Sequence, residues 1–148
     1  MSDPATPPLD ALAWYRALPS HGLATALGIE VLELTAERVV ATMPVDERTR
    51  QPFGILHGGA SVALAETVAS LGANVHIDQA RQAAVGLEIN ANHLRAVREW
   101  VVRATAEPRH LGRTTQVWSI EIADERGRAV CISRCTMAIV PREPGRAP

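Results

Sequence analysis

The sequence predicts an α+β fold in which a single antiparallel sheet of about six strands curls around one long helix. The stretch from Gly58 to Ala73 has no proline and consists mainly of Ala, Leu and Val, and it is too long for an ordinary strand. Six shorter segments show the alternation of apolar and polar residues that half-buried strands require. Short polar connections separate most of these segments, which favours antiparallel pairing.

Each strand is predicted from its own pattern. Val39, Ala41 and Met43 alternate with more polar neighbours, and Trp118 shares one face of a later segment with two isoleucines. A polar turn at 124–128 is typical of a hairpin between the last two strands. The predicted strands are 29–34 and 38–43 before the helix, and 84–94, 101–107, 114–123 and 129–140 after it.

The chain is predicted to form one domain. Residues 1–8 are polar and proline-rich and are expected to be a disordered lead, and 141–148 a flexible tail. The domain itself covers 9–140 and begins with a short amphipathic helix at 9–18 that ends before Pro19. The sequence has no repeat and no change of composition that would suggest a second domain.

The composition excludes several classes of function. The net charge is −1 at pH 7, so the chain lacks the strong positive field that attracts nucleic acid. All 15 basic residues are arginines, which excludes a Schiff-base or Walker-type lysine. No apolar run reaches the roughly 20 residues that span a bilayer, and the N-terminus lacks the pattern of a secretory signal. We therefore expect a soluble cytoplasmic protein that binds neither nucleic acid nor membrane.

No metal or cofactor is expected. Cys131 and Cys135 would lie roughly 13 Å apart along one strand, too far for a disulfide. With five scattered histidines they offer neither a CxxC nor an HxxxH spacing. The predicted chemistry therefore uses no metal and no redox cofactor.

Glu66 is the anomalous residue of the long helix. Apolar residues occur on all sides of this helix, so we expect it to be buried. An unpaired carboxylate there would cost several kcal/mol, and the neighbouring positions on its face offer no cation. Ser70, one turn later, could hydrogen-bond Glu66 or hold a water beside it. Glu66 is thus a candidate base or nucleophile, although a solvated or salt-bridged glutamate would give the same pattern.

The helix begins with two glycines. Gly58 and Gly59 leave backbone N–H groups unshielded at the positive end of the helix dipole, where they suit a developing oxyanion or simply permit a tight turn. Gly58 and Glu66 are eight residues apart, which is roughly 12 Å along the helix axis. One carbonyl cannot touch both, so if both act in one reaction they must come from different subunits.

Polar residues before the helix and arginines near the strand ends complete the candidate set. His57 could donate to a carbonyl or orient it, and Gln51 could bind a carbonyl or a water, but either could equally be structural. Guanidinium groups at strand ends could bind phosphates bidentately or only protect the edges of the sheet. The arginines in such places are Arg95, Arg98, Arg109 and Arg113.

With these residues in place, the chain resembles the hot-dog-fold thioesterases that act on aryl-CoA esters. Within that group it most resembles the 1,4-dihydroxy-2-naphthoyl-CoA thioesterases of menaquinone and phylloquinone synthesis. The resemblance covers about 28–140 and rests on HGG at 57–59 followed by LAE at 64–66. INANH at 89–93 and HLG at 110–112 strengthen it.

The resemblance implies a role for each matching residue. Glu66 matches the catalytic carboxylate and the Gly58 amide the oxyanion donor, while Gln51, His57 and Ser70 match positions that orient the thioester carbonyl and the attacking water. Gly86 matches a position that lines the acyl-pantetheine channel. Two further segments match positions that hold the coenzyme A arm and its nucleotide. They are His93, Leu94, Arg95 and Ala96, and His110, Leu111, Gly112, Arg113, Thr114 and Thr115.

The expected function is hydrolysis of an acyl-CoA thioester to a carboxylic acid and free coenzyme A. We expect a homodimer as the minimal active unit and a dimer of dimers, a homotetramer, beyond it. The acyl group is assigned as 1,4-dihydroxy-2-naphthoyl, while phenylacetyl, benzoyl and medium-chain groups and acyl-carrier-protein esters stay open. The alternatives are a hot-dog hydratase or dehydratase and a non-catalytic acyl-CoA-binding module.

Overall fold

The computed structural model describes residues 10–142 and confirms the predicted α+β architecture. Six strands form one antiparallel sheet in the order β1-β2-β4-β5-β6-β3, and the long helix α3 packs against it. The predicted lead, 1–8, and residues 143–148 of the predicted tail lie outside the described residues. The elements are α1 (Ala11–Arg16), α2 (Leu23–Ala26), β1 (Glu30–Leu34), β2 (Val39–Pro44), α3 (Gly58–Val75), β3 (Gln82–His93), β4 (Val101–Leu111), β5 (Thr115–Ala123) and β6 (Ala129–Pro141).

All six predicted strands are present, and the largest difference in length is in β4. This strand was predicted to end at 107. It continues to Leu111 because the register shifts between Pro108 and His110, and such a bulge accommodates a residue that cannot donate to the ladder. The short helix α2 was not predicted. It is a single turn that follows Gly22, and its four residues are too few to show a helical period.

The apolar core lies between α3 and the inner face of the sheet. Met43, Leu64, Trp118, Ile120 and Met137 are among its largest fully buried side chains. Burying a side chain of this size contributes about 1.5–3 kcal/mol. The sheet therefore fixes which side of α3 faces inward.

The prediction that α3 is buried on all sides is wrong. The six strands curl around the helix without closing, since β1 and β3 remain edges of the sheet. One face of α3 is consequently half-exposed, and we call it the open face. Most of its residues are small or polar, and its members are Val62, Ala63, Glu66, Thr67, Ser70, Leu71 and Asn74.

Strand β3 does not alternate strictly along its length, contrary to the sequence pattern. Its pairing with β6 shifts between Gly86 and Glu88, which makes Leu87 the extra residue of a β-bulge. The bulge brings Gly86 and Ile89 onto the same face of the sheet, toward α3, instead of opposite faces. It also leaves Leu87 64% exposed at the edge of the sheet.

The described residues include both cysteines, the helices and the side chains that could act as metal ligands. Cys131 and Cys135 both lie on β6, buried and not joined in a disulfide, as predicted. Within residues 10–142 no helix is long and apolar enough to cross a membrane. The same range contains no group of three or more His, Cys, Asp or Glu side chains placed to hold a metal ion.

Candidate active site

The predicted site residues fall into two groups at opposite ends of β3. We call Gln51, His57, Gly58 and the segment 93–96 the amide half-site. We call Glu66, Ser70, Gly86 and the hairpin 110–115 the carboxylate half-site. Each group is assembled by the fold within one chain, but the fold does not bring the two groups together.

The amide half-site is built around the cap of α3. The imidazole Nδ1 of His57 accepts a hydrogen bond of 2.8 Å from the Gly59 amide, and the His57 carbonyl accepts from the amides of Ala60 and Ser61. Because Nδ1 is an acceptor, a neutral His57 ring carries its proton on Nε2. The Gly58 amide, in contrast, has no hydrogen-bond partner among the described residues. The capping therefore leaves one free amide donor at the positive end of the helix.

The loop before α3 is fixed by long-range backbone hydrogen bonds. The His57 amide donates to the Thr49 carbonyl at 2.8 Å, and the Leu56 amide donates to the Val97 carbonyl at 2.7 Å. The Arg50 guanidinium adds a bond of 2.7 Å to the Arg98 carbonyl. The helix start is thus attached to the segment that follows β3.

Gly58 and His93 are in close contact. A Cβ added to Gly58 would lie 2.9 Å from Nε2 of His93, so any larger residue would displace that ring. Gln51 lies nearby, and its Oε1 accepts from the Phe53 amide, which leaves its side-chain nitrogen as the donor. A cavity of about 370 Å³ opens between these residues. Its lining combines amide, imidazole and guanidinium donors, from Gln51, Gly58, Ser61, His93 and Arg95 among others.

The carboxylate half-site is built where α3 crosses the bulge of β3. A Cβ added to Gly86 would lie only 2.2 Å from Oε1 of Glu66, so the carboxylate rests directly against the glycine backbone. Because the bulge turns Gly86 toward the helix, the missing side chain at this position makes room for the glutamate. Glu66 and Gly86, which the sequence analysis assigned separately to the catalytic carboxylate and to the acyl-pantetheine channel, are therefore in direct contact in the structure.

The Glu66 side chain is half-buried on the open face. Within residues 10–142 it makes no salt bridge and no hydrogen bond, and none joins it to Ser70. The thiol of Cys135 lies beneath it, where burial, the charge of Glu66 and the charge of Glu88 raise the thiol pKa to about 11. A neutral thiol therefore lies below the carboxylate, and no residue within 10–142 pairs with the carboxylate on the open face.

The two predicted coenzyme A segments lie far apart in one chain. His93 pairs with Cys131 of β6, whereas Thr115 pairs with Ala138, the residue that also pairs with Val85. The seven residue-to-residue steps from 131 to 138 span about 23 Å of strand. Within one chain the two segments therefore lie at different ends of the paired strands.

Sequence reasoning missed two residues around these half-sites. Ser61 lines the cavity at Gly58, and its position three residues into the same helix turn could have indicated this. Cys135 lies below Glu66 because of strand pairing, which no local pattern encodes. Its neighbour Met137 accepts a weak hydrogen bond from the Cys135 thiol at 3.5 Å.

Comparison with known proteins gives a consistent result. The model of the thioesterase superfamily matches residues 53–131. A Bacillus subtilis protein named as an esterase is 65% identical over 122 residues, covering 82% of this chain and 97% of that protein. The protein of Escherichia coli named 1,4-dihydroxy-2-naphthoyl-CoA hydrolase is 54% identical over 114 residues, covering 77% of this chain and 83% of that protein.

A solved structure supports the same relationship. A thioesterase from Pseudomonas aeruginosa superimposes with a TM-score of 0.81 at 45% identity. The match covers 89% of this chain and 92% of that one. The predicted hot-dog fold is thereby confirmed.

Proposed function

The chain belongs to the thioesterase superfamily and is an acyl-CoA thioesterase, and from this premise we propose that it hydrolyses an aryl-CoA ester at a site shared by two subunits. The observation that carries the proposal is the separation of the amide and carboxylate half-sites. Each holds one half of the chemistry, an oxyanion donor or a carboxylate. A second copy of the chain supplies the missing half to each.

The free edge of β3 supports this pairing. It is a long edge strand whose outer hydrogen-bonding groups are available, and Leu87 is exposed on it. Two such strands pair antiparallel around a two-fold axis. An axis beside Ile89 and Asn90 places Gly86 of one subunit opposite His93 of the other. Glu66 then lies next to the partner's free helix amide, and the hairpin 110–115 lies next to the partner's segment 93–96.

The open face of α3 supports it as well. Small residues allow two helices to approach closely, and the residues of this face are only partly buried within residues 10–142. Pairing across β3 buries the open faces against each other. Glu66 thereby loses water around its carboxylate, which strengthens its interaction with a bound thioester.

The reaction uses both half-sites. The thioester carbonyl oxygen accepts from the Gly58 amide and from Nε2 of His57, where negative charge develops. Glu66 takes a proton from a water that attacks the carbonyl carbon. The tetrahedral intermediate then expels sulfur, which receives the proton, giving the carboxylic acid and coenzyme A. In the covalent variant Glu66 attacks directly, thiolate leaves, and water opens the resulting anhydride.

The acyl group proposed is 1,4-dihydroxy-2-naphthoyl. The name of the Escherichia coli relative supports it, and so does a cavity of about 460 Å³ beside the open face. This cavity is lined by Thr67, the residue after Glu66, and by hydrogen-bonding side chains such as Tyr15 and His21. Such a lining suits a hydroxylated ring better than an aliphatic chain.

Subunit complementation tests the shared site. Gly58→Pro and Glu66→Gln chains, inactive alone, are co-expressed with different tags. In a mixed dimer one site then carries both changes and the other carries neither. Random pairing restores about one quarter of the sites, so the mixture should recover about that share of wild-type turnover. If Gly58 and Glu66 act within one subunit, the mixture stays as inactive as two differently tagged Glu66→Gln chains.

A substrate panel tests the chemistry. Thiol release from 1,4-dihydroxy-2-naphthoyl-CoA should exceed release from phenylacetyl-, benzoyl- and medium-chain acyl-CoA. Hydration of crotonyl-CoA without thiol release would indicate a hydratase, and binding without turnover would indicate an acyl-CoA-binding module. Gel filtration of the same protein separates the proposed dimer from the dimer of dimers expected from the sequence.

A further inference from the structure

The first turn of α3 contains a buried serine whose hydroxyl has no hydrogen-bond partner in the described chain. Ser61 is 2% exposed, and within residues 10–142 its hydroxyl neither donates nor accepts a hydrogen bond. Buried hydroxyls are hydrogen-bonded in the large majority of cases, so each exception requires an explanation. Every fully enclosed side-chain nitrogen or oxygen in the same range has a partner, so the Ser61 oxygen must border a cavity. It lines the cavity of about 370 Å³ in front of Gly58.

The helix cap explains why this hydroxyl is free. A hydroxyl inside a helix can donate to the carbonyl four residues earlier, as the Thr67 hydroxyl does to the Ala63 carbonyl at 2.7 Å on the same helix. For Ser61 that carbonyl belongs to His57, and it already accepts from the amides of Ala60 and Ser61. A carbonyl oxygen has two lone pairs, so none remains for the hydroxyl. The hydroxyl proton is therefore available to a ligand in the cavity.

The Ser61 hydroxyl and the Gly58 amide face the same cavity. The two residues are three positions apart on α3, which is about 4.5 Å along the helix axis, and residues at this spacing are neighbours on the helix surface. Side chains on a helix lean toward its N-terminus, so the Ser61 oxygen extends back toward the Gly58 amide. That amide has no partner among the described residues either. One acceptor atom in the cavity can therefore receive both hydrogen bonds.

We propose that the Ser61 hydroxyl is a further catalytic hydrogen-bond donor, which binds the thioester carbonyl oxygen beside the Gly58 amide, an inference that rests on the proposed function. The ground-state carbonyl oxygen has two lone pairs, whereas the oxyanion of the tetrahedral intermediate has three. The oxyanion thus has one lone pair for each of the Gly58 amide, the His57 ring and the Ser61 hydroxyl. The Ser61 hydrogen bond is consequently strongest in the transition state. The proton stays on Ser61 throughout, and no covalent bond to Ser61 forms.

The rest of the cavity lining suits an oxygen that becomes negatively charged. Within residues 10–142 no carboxylate lines the cavity, whereas His93 and Arg95 do. The Oε1 of Gln51 already accepts from the Phe53 amide, so the free end of that side chain is its nitrogen. A carbonyl oxygen therefore finds groups that donate, while an ammonium group would be repelled by the Arg95 guanidinium and by the unpaired Gly58 amide.

Ser61→Ala and Ser61→Cys form the matched pair of test variants. Ser61→Ala removes a hydroxyl that has no partner in the described chain, so its melting temperature should equal or exceed that of the wild type. Its kcat for acyl-CoA should fall about 10- to 100-fold, since one oxyanion donor is lost, with little change in KM. Ser61→Cys keeps most of the volume but has only a weak S–H donor, so its kcat should fall nearly as far. A kcat that is kept in Ser61→Ala, or restored in Ser61→Cys, would overturn the proposal.

The infrared carbonyl stretch of a bound acyl-CoA provides the second measurement. The probe is benzoyl-CoA with an isotopic label in its thioester carbonyl, bound to Glu66→Gln, in which turnover should be too slow to interfere. Adding Ser61→Ala to this variant should move the stretch to higher frequency, because the carbonyl loses a hydrogen bond. An unshifted stretch, or a rise in KM without loss of kcat, would contradict the role of Ser61. If the wild type hydrolyses no acyl-CoA, the proposed function fails, while the infrared shift still decides whether Ser61 binds the carbonyl.

Discussion

The amide and carboxylate half-sites differ in how completely one chain builds them. The helix start is held by the His57 cap and by hydrogen bonds from Leu56 and Arg50 to the segment after β3. Glu66 has neither a hydrogen bond nor a salt bridge within residues 10–142, and its carboxylate rests against Gly86. The fold of one chain fixes the geometry of the amide half-site, whereas in the carboxylate half-site the Glu66 side chain lies on the open face of α3.

This difference indicates how each half-site achieves the geometry that its part of the reaction requires. An oxyanion donor must be held rigidly before the substrate binds, because it stabilises the transition state best when it does not have to reorganise. A carboxylate that transfers a proton or attacks a carbonyl needs a side chain that can reach the substrate and a site from which bulk water is excluded. In our proposal the second subunit excludes the water. The following changes test this division, in order of expected effect.

Glu66→Gln removes the charge from the carboxylate half-site without changing its shape. We expect kcat to fall about 10²–10⁴-fold, since a general base or nucleophile is lost, and KM to change little because the amide fits beside Gly86. Steady-state kinetics with acyl-CoA measure both. A Gln variant with full turnover would contradict the role of this residue.

Gly58→Pro removes the free amide from the amide half-site. Proline is tolerated at the first position of a helix, and His57 already has the extended ψ of 128° that a following proline requires. We expect kcat to fall about 10²–10³-fold, as for loss of one oxyanion donor. Gly58→Ala is the control, because it places the same Cβ against His93 and keeps the amide. Equal losses in both variants would assign the effect to crowding of His93.

Gly86→Ala tests the contact that positions Glu66. The new Cβ would lie 2.2 Å from Oε1, so the carboxylate must move. Since this atom is the end of a flexible side chain, the fold should persist and the melting temperature should change little. We expect kcat to fall about 10- to 100-fold from the displacement. Unchanged turnover would show that the observed position of Glu66 is not the one used in the reaction.

Cys135 reports on the surroundings of Glu66. Burial and the two nearby carboxylates raise its pKa from 9.0 to about 11, so in a Cys131→Ala background it should resist iodoacetamide at pH 8. Alkylation in Glu66→Gln should begin at a lower pH, because one of the charges is gone. The unfolded thiol ionises first, so this group lowers stability as pH rises from 9 toward 11. Mass spectrometry after timed alkylation at a series of pH values shows whether Cys135 reacts at a lower pH in Glu66→Gln than in the protein that keeps Glu66.

The sequence predicted most of the fold and the identity of the candidate residues. The bounds of α3 and of the hairpin at 124–128 follow from local patterns, since proline, glycine and apolar spacing act within a few residues. It could not predict the bulge at Leu87, because a pattern with period two conceals one inserted residue. For the same reason it could not show that Gly86 and Ile89 share a face.

What the sequence determined by itself is a long apolar helix with one carboxylate eight residues after its glycine start, and hence two groups too far apart for one carbonyl. Only the tertiary structure decided that Gly86 accommodates Glu66, that Cys135 lies beneath it, and that the helix keeps an open face. The physical reason is that spacing along a helix is set by local hydrogen bonds, whereas contacts between strands depend on register. Register is fixed by packing across the whole sheet, and no short stretch of residues contains it.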